Sequence, residues 1–238
     1  MKNFTLLTAC LLTGAMTIAQ SPKIINDPNA QKRTVGAFHG VSVHSGIDLY
    51  LSQGGDEAVA VSASDPDDRG RIVTEIKDGV LQIYIEDHGF HWGWHDRKLR
   101  AYVSCKTLDE LRASGGSDVY VDGTVKADVL QVQLSGGSDL HGAFQVGTLT
   151  IGQSGGADSF VSGTAGKLDV HVSGGSDFHG YDLSVDNCLA RASGGADVYV
   201  TVNKSLDASA SGGSDIHYRG TGAVTESHSG GGSVSRKG

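Results

Sequence analysis

The stretch SGGSDLHG, residues 135–142, sets a serine, an aspartate and a histidine within seven positions. In that combination a hydroxyl nucleophile, an imidazole base and an orienting carboxylate would perform acyl transfer. The same five residues SGG[SA]D nevertheless return, with serines at 114, 135, 154, 173, 193 and 211 and a degenerate SGGGS at 229, spaced by 18 to 21 residues. A histidine follows in only three of the six full copies, at His141, His179 and His217. A reactive constellation is built once, so the motif reads as a structural corner. Glycines take backbone angles closed to other residues, while serine and aspartate bond neighbouring amides. The triad also fails on direction, because Asp139 and His141 leave one strand on the same side.

A period near twenty is the signature of a solenoid. One, three and five residues before each serine lie mostly apolar positions, as in Leu134, Val132 and Leu130 or Val172, Val170 and Leu168, with polar residues between them. That alternation marks a strand with one buried face. A second column follows each corner: Val119, Leu140, Ser159, Phe178, Val198 and Ile216. The expected fold is all-β, a single-chain parallel β-solenoid with a period of about 18–21 residues, each coil holding two or three short strands joined by glycine corners and stacking on its predecessor. Residues 38–51 repeat the order more loosely, with Asp48 in the aspartate slot. Lys77-Asp78-Gly79-Val80 predicts a tight turn between two alternating segments.

Three features could carry function. The aspartate column, Asp118, Asp139, Asp158, Asp177, Asp197 and Asp215, would stack carboxylates about 5 Å apart, which destabilises unless something offsets the repulsion. Corner amides are one answer and a bridging calcium ion is another. Against calcium, the corner lacks the third glycine of the GGxGxDxUx roll and its period is twice as long. Two residues beyond each aspartate stands a ring column, Tyr120, His141, Phe160, His179, Tyr199 and His217, in which benzenoid and imidazole rings alternate. Stacked rings stabilise such a face, and a flat stripe of rings and carboxylates would suit sugar rings or a partner protein. Alternate rungs put the histidines near 10 Å apart, too far to share one metal ion. The third feature is HGFHWGWHD, residues 88–96, with Trp92 and Trp94 and three histidines at His88, His91 and His95. It reads as a projecting loop: an aromatic binding loop, a zinc or copper site, or a lid on the solenoid.

Residues 1–19 form a short basic end and an uncharged apolar run with small residues at Thr17 and Ala19, which predicts a secretory signal cut after Ala19. A lipoprotein box ending at Cys10 would leave too short an apolar region. Residues 20–35 read as a leader, and 36–238 as the solenoid domain. No later run is apolar enough to span a membrane as a helix. Loss of Lys2 takes the formal charge from −8 to −9, which argues against nucleic acid and anionic lipid as partners. Cys105 and Cys188 remain after cleavage, about four coils apart and out of disulfide reach, with Cys188 in an inward slot.

The order FxxVxV, SGIDLYL, DGVLQIYI and then recurring SGGSD corners over about 35–238 resembles the head GIN domain family. That resemblance implies a secreted bacterial β-solenoid labelled as an autotransporter adhesin head. No ten-residue alternating strands follow the last corner, so a self-built membrane barrel is not expected. The reading is therefore an exported, non-enzymatic module of the periplasm, cell surface or exterior, binding carbohydrate or an envelope protein, with no cofactor beyond the calcium alternative. Two rivals stand beside it: a carbohydrate-active β-helix enzyme, which needs a groove with a unique acid or base, and a calcium-stabilised structural spacer.

Overall fold

A computed structural model describes residues 27–86 and 98–238. The signal segment, Cys10 and the 88–96 loop with His88, His91, His95, Trp92 and Trp94 lie outside the described residues. The chain winds into a parallel β-solenoid of about seven turns.

The repeat half consists of long strands: β9 (Val119–Ser135), β10 (Leu140–Ser154), β11 (Ser159–Gly174), β12 (Asp177–Gly194) and β13 (Asp197–Gly212), paired in that order in parallel. Here the structure corrects the expected two or three short strands per coil. Each coil is one long strand that bends part-way along, where its ladder skips residues at register shifts such as those between His141 and Ala143 and between Phe160 and Gly163. Pairing also stops at the SGG corner. There both Gly136 (φ 66°) and Gly137 (φ 73°) are left-handed. A Cβ on Gly136 would also sit 3.2 Å from the Gly115 amide nitrogen, so the close stacking of corner on corner needs glycine as much as the turn does. The residue after the pair points inward and is buried. Ser117, Ser138, Ser176 and Ser214 are fully enclosed, and their hydroxyls accept corner amides, Ser138 from the Ser117 N–H at 3.1 Å and Ser176 from the Ala157 N–H at 3.0 Å.

The alternating columns form the core. Leu130, Val132, Leu140, Leu149, Ile151, Leu168, Val170 and Phe178 are fully enclosed. Each such side chain contributes roughly 1.5–3 kcal/mol relative to exposure. Cys105 and Cys188 are both free and both buried, as packing residues rather than bridge partners. One inward slot holds Gln153, which bonds within the core to Ala157, Asp177 and Ser159.

The first half departs from simple winding. β2 (Gly40–Val43) lies between β6 (Val80–Ile85) and β8 (Glu110–Ala113), and β3 (Asp48–Gln53) lies between β7 (Arg100–Cys105) and β9, all in parallel. The coil written first is thus second in space. The β6 and β7 coil is laid on its outer side before the chain returns through β8 to the inner side. All four residues of β2 are buried, which requires a neighbour on each edge. β5 (Ile72–Lys77) makes the expected hairpin with β6, with Asp78 (φ 53°) and Gly79 (φ 78°) both left-handed in the turn. β4 (Ala58–Ser62) is antiparallel to β7, and β1 (Gln31–Arg33), from the leader segment, is antiparallel to β4. β1 joins by backbone pairing, with Gln31 and Lys32 exposed and the half-buried Arg33 donating to the Arg69 carbonyl at 3.0 Å, a mode that leaves no apolar pattern in the sequence. A six-residue helix, α1 (Pro66–Arg71), is capped by Asp65, whose carboxylate accepts the Asp67 N–H at 2.8 Å. At the far end β14 (Asp215–Arg219) and β15 (Ala223–Gly230) form one coil on β13, and β16 (Ser233–Arg236) stacks on β14 to begin the next; Glu226 and His228 of β15 occupy the register of the buried Ala208 and Ala210 but are exposed.

Candidate functional site: a ladder of stacked rings beside a ladder of carboxylates

Parallel register carries the same slot from coil to coil, so the corner strand presents two columns. The aspartates are spliced into the backbone. Asp118 Oδ1 accepts the Asp139 N–H at 3.1 Å, Asp139 that of Asp158 at 3.2 Å, Asp158 that of Asp177 at 2.9 Å and Asp177 that of Asp197 at 3.1 Å. Asp215 Oδ1 instead accepts the Ser233 hydroxyl at 2.6 Å. Charge-assisted bonds to peptide hydrogens offset the repulsion between stacked carboxylates. The offset is incomplete: burial, together with Asp118 and Asp158 on either side, raises the Asp139 pKa despite the Asp158 amide and His141. Asp48 is likewise raised, by burial and by Asp118. The column ends at Arg100, which faces Asp48 in register. Among the described residues no group of three or more His, Cys, Asp or Glu side chains could hold a metal ion.

The ring column is continuous and longer than its sequence pattern. Tyr102, Tyr50, Tyr120, His141, Phe160, His179, Tyr199 and His217 stack in that order. Centroids are 5.5 Å apart for Tyr120 and His141, 4.7 Å for His141 and Phe160, and 4.6 Å for Phe160 and His179, with planes within 10°. All six rings singled out in the sequence are therefore brought together. Tyr50 extends the stack and was legible two residues after Asp48. Tyr102 extends it further but follows an arginine with no corner before it, and only the pairing of β7 with β3 puts it in line.

Because ring lies on ring, the faces cover one another and the edges form the outer surface. Phe160 is 42% and Tyr50 36% exposed. At the ends, Tyr102 donates to Asp27 Oδ2 at 2.9 Å and His217 Nδ1 meets Ser235 Oγ at 2.7 Å. Burial and the bond to Asp27 push the Tyr102 phenol up to about 12. Burial and the Asp197 charge raise Tyr199, whose hydroxyl donates to Asp197 at 3.3 Å. The site offers a flat ridge of ring edges banded by carboxylates. The apparent triad is absent from it, since His141 is sandwiched between Tyr120 and Phe160 and Asp139 is bonded to the Asp158 amide.

This combination defines a parallel β-solenoid with an exposed side-chain ladder. The chain belongs to the head GIN domain family: the family model described as "Putative auto-transporter adhesin, head GIN domain" matches residues 37–222. Among solved structures, a "putative adhesin" from Bacteroides fragilis is similar with a TM-score of 0.79 at 20% identity, covering 87% of this chain and 96% of that one. A "putative lipid binding protein" from Parabacteroides distasonis reaches 0.70 at 18% identity, over 90% of this chain and 98% of that one. A "putative adhesin" from Parabacteroides merdae reaches 0.66 at 20%, over 88% and 95%. These likenesses establish the fold. No curated protein matches the chain. No helix among the described residues is long and apolar enough to cross a membrane.

Proposed function

We propose that this protein is an exported, non-enzymatic adhesin-like module whose ring ridge is its contact surface, and that the partner is a protein of the cell envelope or of an apposed surface. The observation that carries the reading is the eight-ring stack, Tyr102 through His217, held rigid by backbone pairing and left open along its edges. A preformed aromatic surface loses little side-chain entropy on binding, and tyrosine is enriched where proteins meet. Sugar rings bind aromatic faces, and here those faces are spent on one another, so a protein is the better occupant of the ridge. Membership in a family named for adhesin heads supports binding over catalysis, as does the recurrence of every acid and hydroxyl in the corner motif. Export rests on the apolar start of the chain and on the family's name.

The test is adhesion of beads coated with the mature protein to bacterial and host cell surfaces. The triple substitution Tyr120→Ser, Phe160→Ser and Tyr199→Ser should abolish adhesion while circular dichroism still reports β-structure. Adhesion that survives in the folded triple variant overturns the assignment of the ridge.

A further inference from the structure

On the other side of the SGG corner the solenoid carries a trough that the ring ridge does not involve. The outward residues two before each corner serine are aligned by register: Gln133, Gly152, His171, Arg191 and Ser209. Glycine at the second of these leaves a gap in an otherwise side-chained row. The gap and the corner serines, Ser154 and Ser173 among them, enclose a depression of about 510 Å³. Gln133 leans across it, so that a Cβ on Gly152 would lie 2.6 Å from Gln133 Oε1.

Arg191 and His171 bring a guanidinium and an imidazole to the rim of the gap. Arg191 Nη1 lies 3.1 Å from His171 Nε2, and the same nitrogen lies 2.9 Å from Asp169 Oδ1. One ring nitrogen either accepts from the guanidinium or donates to the carboxylate, not both. Consistent with that conflict, Asp169 Oδ1 is buried without a hydrogen-bond partner. A carboxylate on Arg191 would draw the guanidinium off the ring and free His171 to donate to Asp169. The guanidinium fork suits a carboxylate in two-point contact, while the Gln133 amide and the serine hydroxyls suit a polyol.

We propose that this trough binds an acidic oligosaccharide, with a uronate-type carboxylate on Arg191 and sugar hydroxyls on Gln133 and the corner serines. The site sits in a chain of formal charge −8, so it is the local cation rather than bulk charge that selects the acid. It is independent of the ring ridge and of the partner assigned there.

Isothermal titration of the mature protein with a uronic-acid hexamer, set against a neutral glucose hexamer, tests the proposal. The acidic hexamer should bind at least tenfold more tightly than the neutral one. Arg191→Gln should remove that preference, and Gly152→Leu, whose Cβ alone would already meet the end of Gln133, should fill the gap and abolish binding. Arg191 is exposed, so its variant keeps the test decisive even if the leucine disturbs the strand. The triple ring variant should bind the acidic hexamer as the parent does. No heat at millimolar acidic hexamer, equal affinity for the neutral one, or unchanged affinity in Arg191→Gln each overturns it.

Discussion

Ser159 Oγ donates to Gln153 Oε1 at 2.9 Å inside the solenoid, joining two polar side chains that stand in otherwise apolar columns. The Gln153 amide donates in turn to the Ala157 and Asp177 carbonyls, so the pair stitches one coil to the corner of the next. Ser159→Ala should therefore destabilise by about 1–3 kcal/mol, because a buried acceptor loses its donor. Gln153→Ala should cost more, because it removes both amide donations and leaves the Ser159 hydroxyl without its acceptor. Urea denaturation of both single variants and the double variant checks this, and coupling below about 0.5 kcal/mol would mean the two residues act independently.

The carboxylate ladder predicts a pH dependence. The Asp139 pKa is raised above its ordinary 3.8, chiefly by burial, so the folded state holds that proton more tightly than the unfolded chain. Its contribution is most favourable below pH 3.8 and is lost as pH rises through the raised value. Asp139→Asn keeps an acceptor for the Asp158 N–H and removes the charge. The variant should melt higher than the parent at pH 7, with the gain shrinking toward pH 3; a lower Tm at pH 7 would show that the charge itself stabilises the corner.

Calcium supplies a second test of the same column. Four of the carboxylates already spend one oxygen on the next coil's peptide N–H. Melts in excess calcium and in chelator should agree within about 1 °C, whereas saturation of an ion site at a hundred times its Kd would add about 2.7 kcal/mol. A rise of several degrees would make the column an ion ladder.

The two buried thiols report on the core. Burial pushes Cys105 up to about 11 and Cys188 up to about 12. The thiolate is the reacting species, so neither should be alkylated in the native protein at pH 8, and both should react once the solenoid opens in denaturant. Rapid native labelling of Cys188 would place it outside the core.

The corner motif, its period and its alternating flanks determined the solenoid, the inward columns and the slots of Asp118 and Tyr120, because a parallel stack repeats one backbone geometry and each slot must meet it again. The DG turn before Val80 was equally readable, since two left-handed residues admit few sequences. What only tertiary structure decided is pairing between segments far apart in the chain. The β2 and β3 coil became internal because its fully buried strand requires neighbours on both edges, and the Tyr102 ring joined the stack because β7 settled beside β3. The Gly152 gap is of the same kind. A lone glycine in a strand says nothing until register sets Gln133, His171 and Arg191 around it.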